Sequence, residues 1–576
     1  MAQNVFNSAR FIDGCTSYKA ESIAYHEKSA AHLLAQQCHK AKIHPEKTPA
    51  NLARQQMLKQ YTGKLRLLFR NAHAVSKNKK SLADYRWLCD LDEVKGLAIG
   101  ATYRNSKACG TFTKYIATAA QSQVAEELTN TKFVSVTSDG ATDSSITEQE
   151  IVFVRYSSKG VPFTKFVGLK QPISPNASGL HKAIMAALGD VGLGEEDLKK
   201  KLVGFGCDGA SVMVGKKGGV SAFLTQLQPS CITVHCFAHR LELAYKDAVK
   251  ENKLYDSCIV LLMGLYYFYH NSPKQRQNLK RSFQSLNQSS VMPTRVGGTR
   301  WVGHIILPVE NFLKGYQAIR AQLEDCISKK VTQTKARGYL KLMKRPDVIA
   351  FLHLLLDMFG PLRALSLTLQ SDHTTLADVG EKIQVAKNAI ISFKESHGPR
   401  LRQFFKDHEV AGSCKGEPMT GKVTEDNFHT TKLKPLAEKI LTTLENRFTD
   451  VSEDVVAATR IANFRQRPLF SMKEDVTVFG EKELQVLCQR FAEVFQHAGV
   501  ASEQVQTEWV MLKSHLYNKY KDKIQSLKWA EIYSLYEEGH ANVLAIIDLI
   551  LTLPASSAAN KRGFSQMKLT KTNTLS

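Results

Sequence analysis

Two aspartates stand directly ahead of glycine, each at the end of a strand-like stretch: Asp139 in Ser138-Asp139-Gly140 and Asp208 in Cys207-Asp208-Gly209. If one sheet sets those stretches side by side, the two carboxylates converge at one rim. Paired carboxylates are the hard oxygen ligands that a Mg²⁺ pair ~4 Å apart needs for phosphoryl transfer. Asp-Gly is also a common turn pair, and each aspartate would then only cap the turn after its strand. Spacing alone leaves both readings open. Further on, Cys236-Phe237-Ala238-His239 follows Cys231 and His235. Such a group can begin a zinc site, but no second ligand pair follows at a suitable spacing. The pattern favours Cys236 as a buried structural thiol and His239 as a hydrogen-bonded histidine on a core helix. Gly297-Gly298-Thr299-Arg300-Trp301 joins a cation to an indole. Arg300 can grip a phosphate and Trp301 can face an unstacked base, and a tryptophan equally packs into a core. Near the start, Cys15, His26 and His32 are candidate zinc ligands. An ordinary four-ligand finger wants another cysteine upstream, and no residue before Cys15 is Cys or His.

The elements that must position these groups read as follows. Lys132–Thr137, Glu150–Tyr156 and Pro162–Leu169 are three strands in sequence, the last two joined by the turn Ser157-Ser158-Lys159-Gly160. A helix over Ser178–Leu188 precedes a strand at Leu202–Cys207, then a helix near Gly218–Leu227, a short strand at Ile232–Val234 and a helix from Phe237 to Val249. Three hairpin-linked strands followed by helix-crossover strands fit a mixed sheet covered by helices. From 250 to about 550 the apolar residues recur at three- and four-residue spacing, so this stretch is helical, with a polar Gly-containing loop at Glu409–Lys422.

The chain has 576 residues, too long for one compact domain, and 43% hydrophobic residues, enough for real cores. Its net charge is +23, from 77 Lys+Arg against 54 Asp+Glu. Residues 1–132 hold 20 of those cations and 10 of the acids. A surplus of this size attracts polyanions and makes binding salt-sensitive, which points to DNA or RNA as a partner. The cluster Lys77, Lys79, Lys80 fits a nuclear address or phosphate contacts, as well as plain solvated surface. No stretch reads as membrane-spanning: the run Ile259–Tyr269 is shorter than the ~20 residues a bilayer needs, and Val543–Leu553 is broken by Asp548. The 11 cysteines are odd in number and include no CxxC, which suits a reducing compartment rather than a disulfide framework.

Taken in order, five motifs resemble the hAT transposases, most of all the vertebrate transposon-derived zinc-finger proteins. They are Ser138 to Asp143, Cys207 to Ala210, Cys236 with His239, Thr299-Arg300-Trp301, and Pro554 to Ala558 running on to Arg562-Gly563-Phe564-Ser565. Phe11 to His32 looks like the second half of those proteins' zinc finger. The resemblance implies an α/β fold, an RNase H-like mixed sheet with helices interrupted by a large all-α insertion, beside a basic N-terminal region. It divides the chain into a zinc-finger-like segment (1–50), a basic helical linker (51–130), the first part of the core (131–250), the insertion (251–530), and the end of the core with part of a C-terminal dimerisation region (531–576). That region extends beyond Ser576 in the family, so a homodimer weakened by truncation is expected.

The family's active site is a triad of acids. Asp139 falls on its first position and Asp208 on its second, while Trp301 falls on a tryptophan associated with a flipped base. The third acid belongs to Ser-Ala-x-x-Glu-Arg-x-Phe-Ser, and here Lys561 occupies the glutamate's place. A carboxylate replaced by an ammonium swings the local charge by two units. Unit charges 4 Å apart interact by ~4 kcal/mol at an effective dielectric of about 20, so Mg²⁺ occupancy should fall severely. Three functional readings follow. The first is a domesticated, catalytically inactive nuclear protein that binds DNA or chromatin and dimerises. The second is an active Mg²⁺-dependent transposase, and the third is a protein-interaction scaffold without nucleic-acid contact. Zinc is expected only through Cys15, His26 and His32.

Overall fold

The computed structural model describes residues 19–142, 147–297, 303–329, 332–449 and 454–574. The chain divides into two compact units, Met1–Ala120 with Leu569–Ser576, and Gln121–Lys568.

The first unit is helical. It contains α1 (Ala20–Glu27), α2 (Ala30–Ile43), α3 (Pro49–Lys77), α4 (Asp84–Val94) and the first part of α5 (Ser106–Thr129). The long helix α3 starts cleanly: Pro49 occupies the first turn, where its missing N–H costs nothing, and the Thr48 hydroxyl accepts from the Asn51 N–H at 3.3 Å. Leu68, Ala72 and Val75 share one side of α3 and pack against Tyr85 and Cys89 of α4 and Cys109 and Phe112 of α5. Its first half, up to Lys64, buries no side chain.

The second unit is built on five strands, β1 (Val134–Thr142), β2 (Glu148–Ser158), β3 (Val161–Lys170), β4 (Leu202–Cys207) and β5 (Ile232–His235). Their order in the sheet is β3-β2-β1-β4-β5. β1, β2 and β3 pair antiparallel, while β4 and β5 run parallel to β1. This mixed sheet, with helices over it and a long helical block inserted before its last helices, is the expected RNase H-like architecture. Alternation along the strands feeds two cores. Val134, Val136, Val152 and Val154 meet α6 (Ala177–Gly189) and α7 (Val220–Leu227) on one face. The other face, with Phe133 and Val203, shares one contiguous core with α8 (Phe237–Val249), with the helical block, and with α9 (Ala541–Thr552). The Arg155 Nε donates to the Leu551 carbonyl at 3.0 Å and the Ser157 N–H to the Thr552 hydroxyl at 2.9 Å, which seats α9 on β2. The last helix is α10 (Ala558–Thr574).

Three differences from the sequence reading have physical causes. β1 does not stop at Thr137; it runs to Thr142 because β2 keeps pairing with it as far as Thr142 opposite Glu148. Asp139 therefore lies inside a strand, opposite Ile151, and is not a turn cap. The polar stretch after Glu409 contains a small hairpin, Ser413–Cys414 against Glu417–Pro418, rather than only loop. The helix Pro346–Leu369 is long and apolar enough to cross a bilayer, which the sequence reading passed over, and it is mostly buried as a core helix of the insertion.

Candidate functional site

The parallel pairing of β1 with β4 sets Thr137 beside Gly206. Two residues further along each chain stand Asp139 and Asp208, so both carboxylates leave the same end of adjacent strands. They nonetheless sit in different settings. Asp139 is 5% exposed, and burial pushes its carboxyl up to about 7, with Lys561 pulling the other way and Asp208 adding to the rise. Asp208 is half-buried beyond the end of β4, where its Oδ1 accepts the Ala210 N–H at 3.0 Å. The turn-capping reading thus describes Asp208 and fails for Asp139.

The C-x-x-H element supports this rim from below. The Cys236 N–H donates to the Cys207 carbonyl at 2.8 Å, locking the start of α8 to the end of β4. The Cys236 Sγ accepts the Ser557 N–H at 3.3 Å and lies 3.5 Å from the Ser556 hydroxyl. A buried thiol therefore holds the turn that launches α10. His235 lies flat against Gly209, whose φ of +83° and missing Cβ make room for the ring: an added Cβ would come within 2.3 Å of it. Burial, with Arg240 and His239 next, lowers the His235 imidazole to about 4. Its ring centroid is 5.6 Å from that of His239.

α10 is fixed to the sheet by Asn560, which is fully buried. Its Oδ1 accepts from the Thr137 hydroxyl at 3.0 Å, and its Nδ2 donates to the Thr137 and Ile151 carbonyls, each at 3.0 Å. Gly563, one turn on, permits this approach, because a Cβ there would stand 2.4 Å from the Ile151 Cδ1. With α10 pinned, Lys561 falls beside the two aspartates. Its Nζ lies 3.5 Å from the His239 Nδ1, and its charge opposes the rise at Asp139. Burial first, and Lys561 second, hold the His239 imidazole below its ordinary range.

The RNase H-like sheet implies a divalent-ion pair at such a rim, and these residues do not fit one. Where the resemblance calls for a third acid stands Lys561, a cation whose charge acts on Asp139. Among the described residues, no three His, Cys, Asp or Glu side chains gather as an ion would require. Glu150 is a further acid close by, 1% exposed and pushed by burial up to about 7. It pairs with Gly140 and takes the Ser138 hydroxyl as donor, so strand alternation puts it on the face opposite Asp139. Asp548 is engaged elsewhere, at the β2–β3 turn, and Glu538 is exposed between α9 and the helix before it.

Beside Lys561 an open groove of about 830 Å³ is lined by Arg295, Arg363 and Arg562, with no carboxylate among the described residues of its walls. Arg562 also pairs with Asp372. Arg295, Arg363 and Asn560 were not singled out from sequence. Asn560 had a local signal, its place one residue before Lys561, while the arginines come from separate elements and had none. Arg300 and Trp301, and Cys15 of the finger-like segment, lie outside the described residues. His26 and His32 do meet, with Nε2 and Nδ1 3.2 Å apart, at hydrogen-bond distance. Lys77 and Lys80 are exposed at the end of α3, and Lys79 is partly buried with φ +56°.

Residues 105–219 match the family model DUF4371, described as the ZMYM1/FAM200 RNase-like domain. The matched stretch contains β1 to β4 and both Asp139 and Asp208. The match supports a relation to transposase-derived zinc-finger proteins.

Proposed function

We propose that this chain is a domesticated relative of hAT transposases whose strand-end site no longer performs metal-dependent strand cleavage, and which works in the nucleus by binding DNA or chromatin and pairing with a second copy through its C-terminal region. The observation that carries this reading is the charge at one seat. Lys561 stands where the resemblance calls for a glutamate, close enough to Asp139 to oppose the upward shift of its carboxyl. An ammonium offers no lone pair to a cation while protonated, and it repels the ion that the aspartates would attract. The pocket is thereby neutralised from within.

The nucleic-acid part rests on the net charge of +23 and on the groove of Arg295, Arg363, Lys561 and Arg562. Guanidinium groups grip phosphates in two-pronged fashion. The meeting of His26 and His32 supports zinc at the N-terminal segment, with Cys15 as a third ligand.

Two assays test the reading. A hairpin-forming transposon-end duplex incubated with Mg²⁺ or Mn²⁺ should stay intact, and metal-dependent cleavage by the unmodified chain refutes catalytic silence. Duplex affinity should fall steeply and linearly on a log scale as salt rises. A flat response would favour the scaffold reading instead.

A further inference from the structure

Between Glu46 and Asp84 the chain contains nine Lys and Arg and no carboxylate. Most of this stretch is the single helix α3, so these charges are ordered in space. Lys59, Arg66, Arg70 and Lys77 are separated by 7, 4 and 7 residues. At 3.6 residues per turn they fall within about 40° of arc, a straight ridge roughly 27 Å long. All four side chains are exposed. The buried residues of the helix, Leu68, Ala72 and Val75, lie on the opposite side, packed on α4 and α5. The fold therefore anchors the second half of α3 by its back and presents the ridge outward.

We propose that this ridge of α3 is a docking surface for duplex nucleic acid, gripping the phosphate backbone without reading bases. Duplex DNA has one negative charge per about 1.7 Å of axis, so a 27 Å ridge matches roughly eight base pairs. Four regularly placed cations along one line suit a periodic polyanion better than an acidic protein patch. A membrane surface fits less well, because a helix bound at a bilayer inserts its apolar side, and along the second half of α3 that side is buried under α4 and α5, leaving only Leu52, Met57, Leu58 and Tyr61 of the first half exposed. The residues between the cations, such as Thr62, Gly63 and His73, are small or polar and offer no set of side chains for base edges. This inference rests on the reading that the chain contacts nucleic acid and names a surface separate from the Lys561 groove.

The test uses the full chain and an arbitrary duplex about two helical turns long, with binding followed by anisotropy between about 50 and 200 mM salt. The variant Lys59→Gln/Arg66→Gln/Arg70→Gln/Lys77→Gln should lose about 100-fold in affinity at the lower salt and flatten the log–log salt slope by about 3.6, at ~0.9 per phosphate contact. A control of equal charge change off the ridge, Lys47→Gln/Arg54→Gln/Lys64→Gln/Lys95→Gln, should lose less than a tenth as much. If both variants lose affinity equally, or the ridge variant binds like the parent, the ridge is refuted while nucleic-acid binding by the chain stands. If the parent chain shows no duplex binding, both readings fail. Tighter ridge-dependent binding to vesicles of phosphatidylcholine and phosphatidylserine in equal parts than to the duplex would also overturn the proposal, in favour of a lipid surface. An RNA duplex of the same length should bind comparably, since backbone phosphates are the only contact; a strong preference for DNA would contradict the absence of base or groove readout.

Discussion

Two aspartates, half-buried Asp548 on α9 and buried Asp139 in β1, meet opposite ends of the β1–β2 pair and are treated in opposite ways. Asp548, at the β2–β3 turn, is saturated with donors: the Ser157 hydroxyl at 2.6 Å, the Gly160 N–H at 3.0 Å and the Tyr533 hydroxyl at 2.6 Å. Burial raises its carboxyl, and those donors pull it back. Asp139, at the strand-end rim, receives the Gly140 N–H and is otherwise balanced by the charge of Lys561. The first acid is woven into the fold by directed hydrogen bonds. The second is held in an under-solvated seat that a cation makes tolerable. The two acids are thus distinguished by their donors, and the difference can be measured.

The largest effect should come from Asp548→Ala, which removes the charged acceptor shared by three partly buried donors and should cost about 4 kcal/mol in chemical denaturation. A loss under about 1 kcal/mol would show that the donors find other partners and would erase the contrast. Next, Asn560→Ala removes the three bonds that pin α10 and should cost about 3 kcal/mol. It should also detach Lys561 from its neighbours, so the His239 imidazole titration, followed by NMR, should move back toward its ordinary range. A destabilised variant with an unmoved His239 would separate the pin from the pocket.

Asp139→Asn should do the reverse and stabilise the fold by about 2 kcal/mol at pH 8. The sign follows from linkage. The folded carboxyl titrates at about 7, above its ordinary 3.8, so the folded state holds the extra proton in between, and stability falls as pH rises through that window. The gain from Asn should therefore shrink toward pH 4, and a gain independent of pH would place the cause elsewhere. Glu150→Gln should act in the same direction, by about 1 kcal/mol at pH 8, since its carboxyl also sits at about 7 against an ordinary 4.5 and has the Ser138 hydroxyl to soften the loss. Thermal melts at pH 5 and pH 8 would rank the two.

Much of the sheet was legible because its strands advertise themselves. Glu150–Tyr156 and Leu202–Cys207 are short, apolar and bounded by turn residues, and each lies within an observed strand. The extension of β1 past Asp139 was not legible, since Ser-Asp-Gly reads as a turn until its pairing with β2 is known. The site was legible only in pieces. Asp139 and Asp208 could be found from local sequence, but Asn560 reaches Thr137 across 423 residues, and nothing local tells that Lys561 shares their rim. That required the resemblance. Arg295 and Arg363 meet the groove through helix packing in the insertion, a long-range outcome that periodicity does not encode.

The central claim, that the Lys561 ammonium excludes divalent ions from a pair of acids, is tested most directly by titrating Mn²⁺ into the unmodified chain and into Lys561→Glu, with the fold checked by circular dichroism. The account predicts saturable binding in the variant at least about tenfold tighter than in the parent. Equal Mn²⁺ affinity in the two proteins would contradict it.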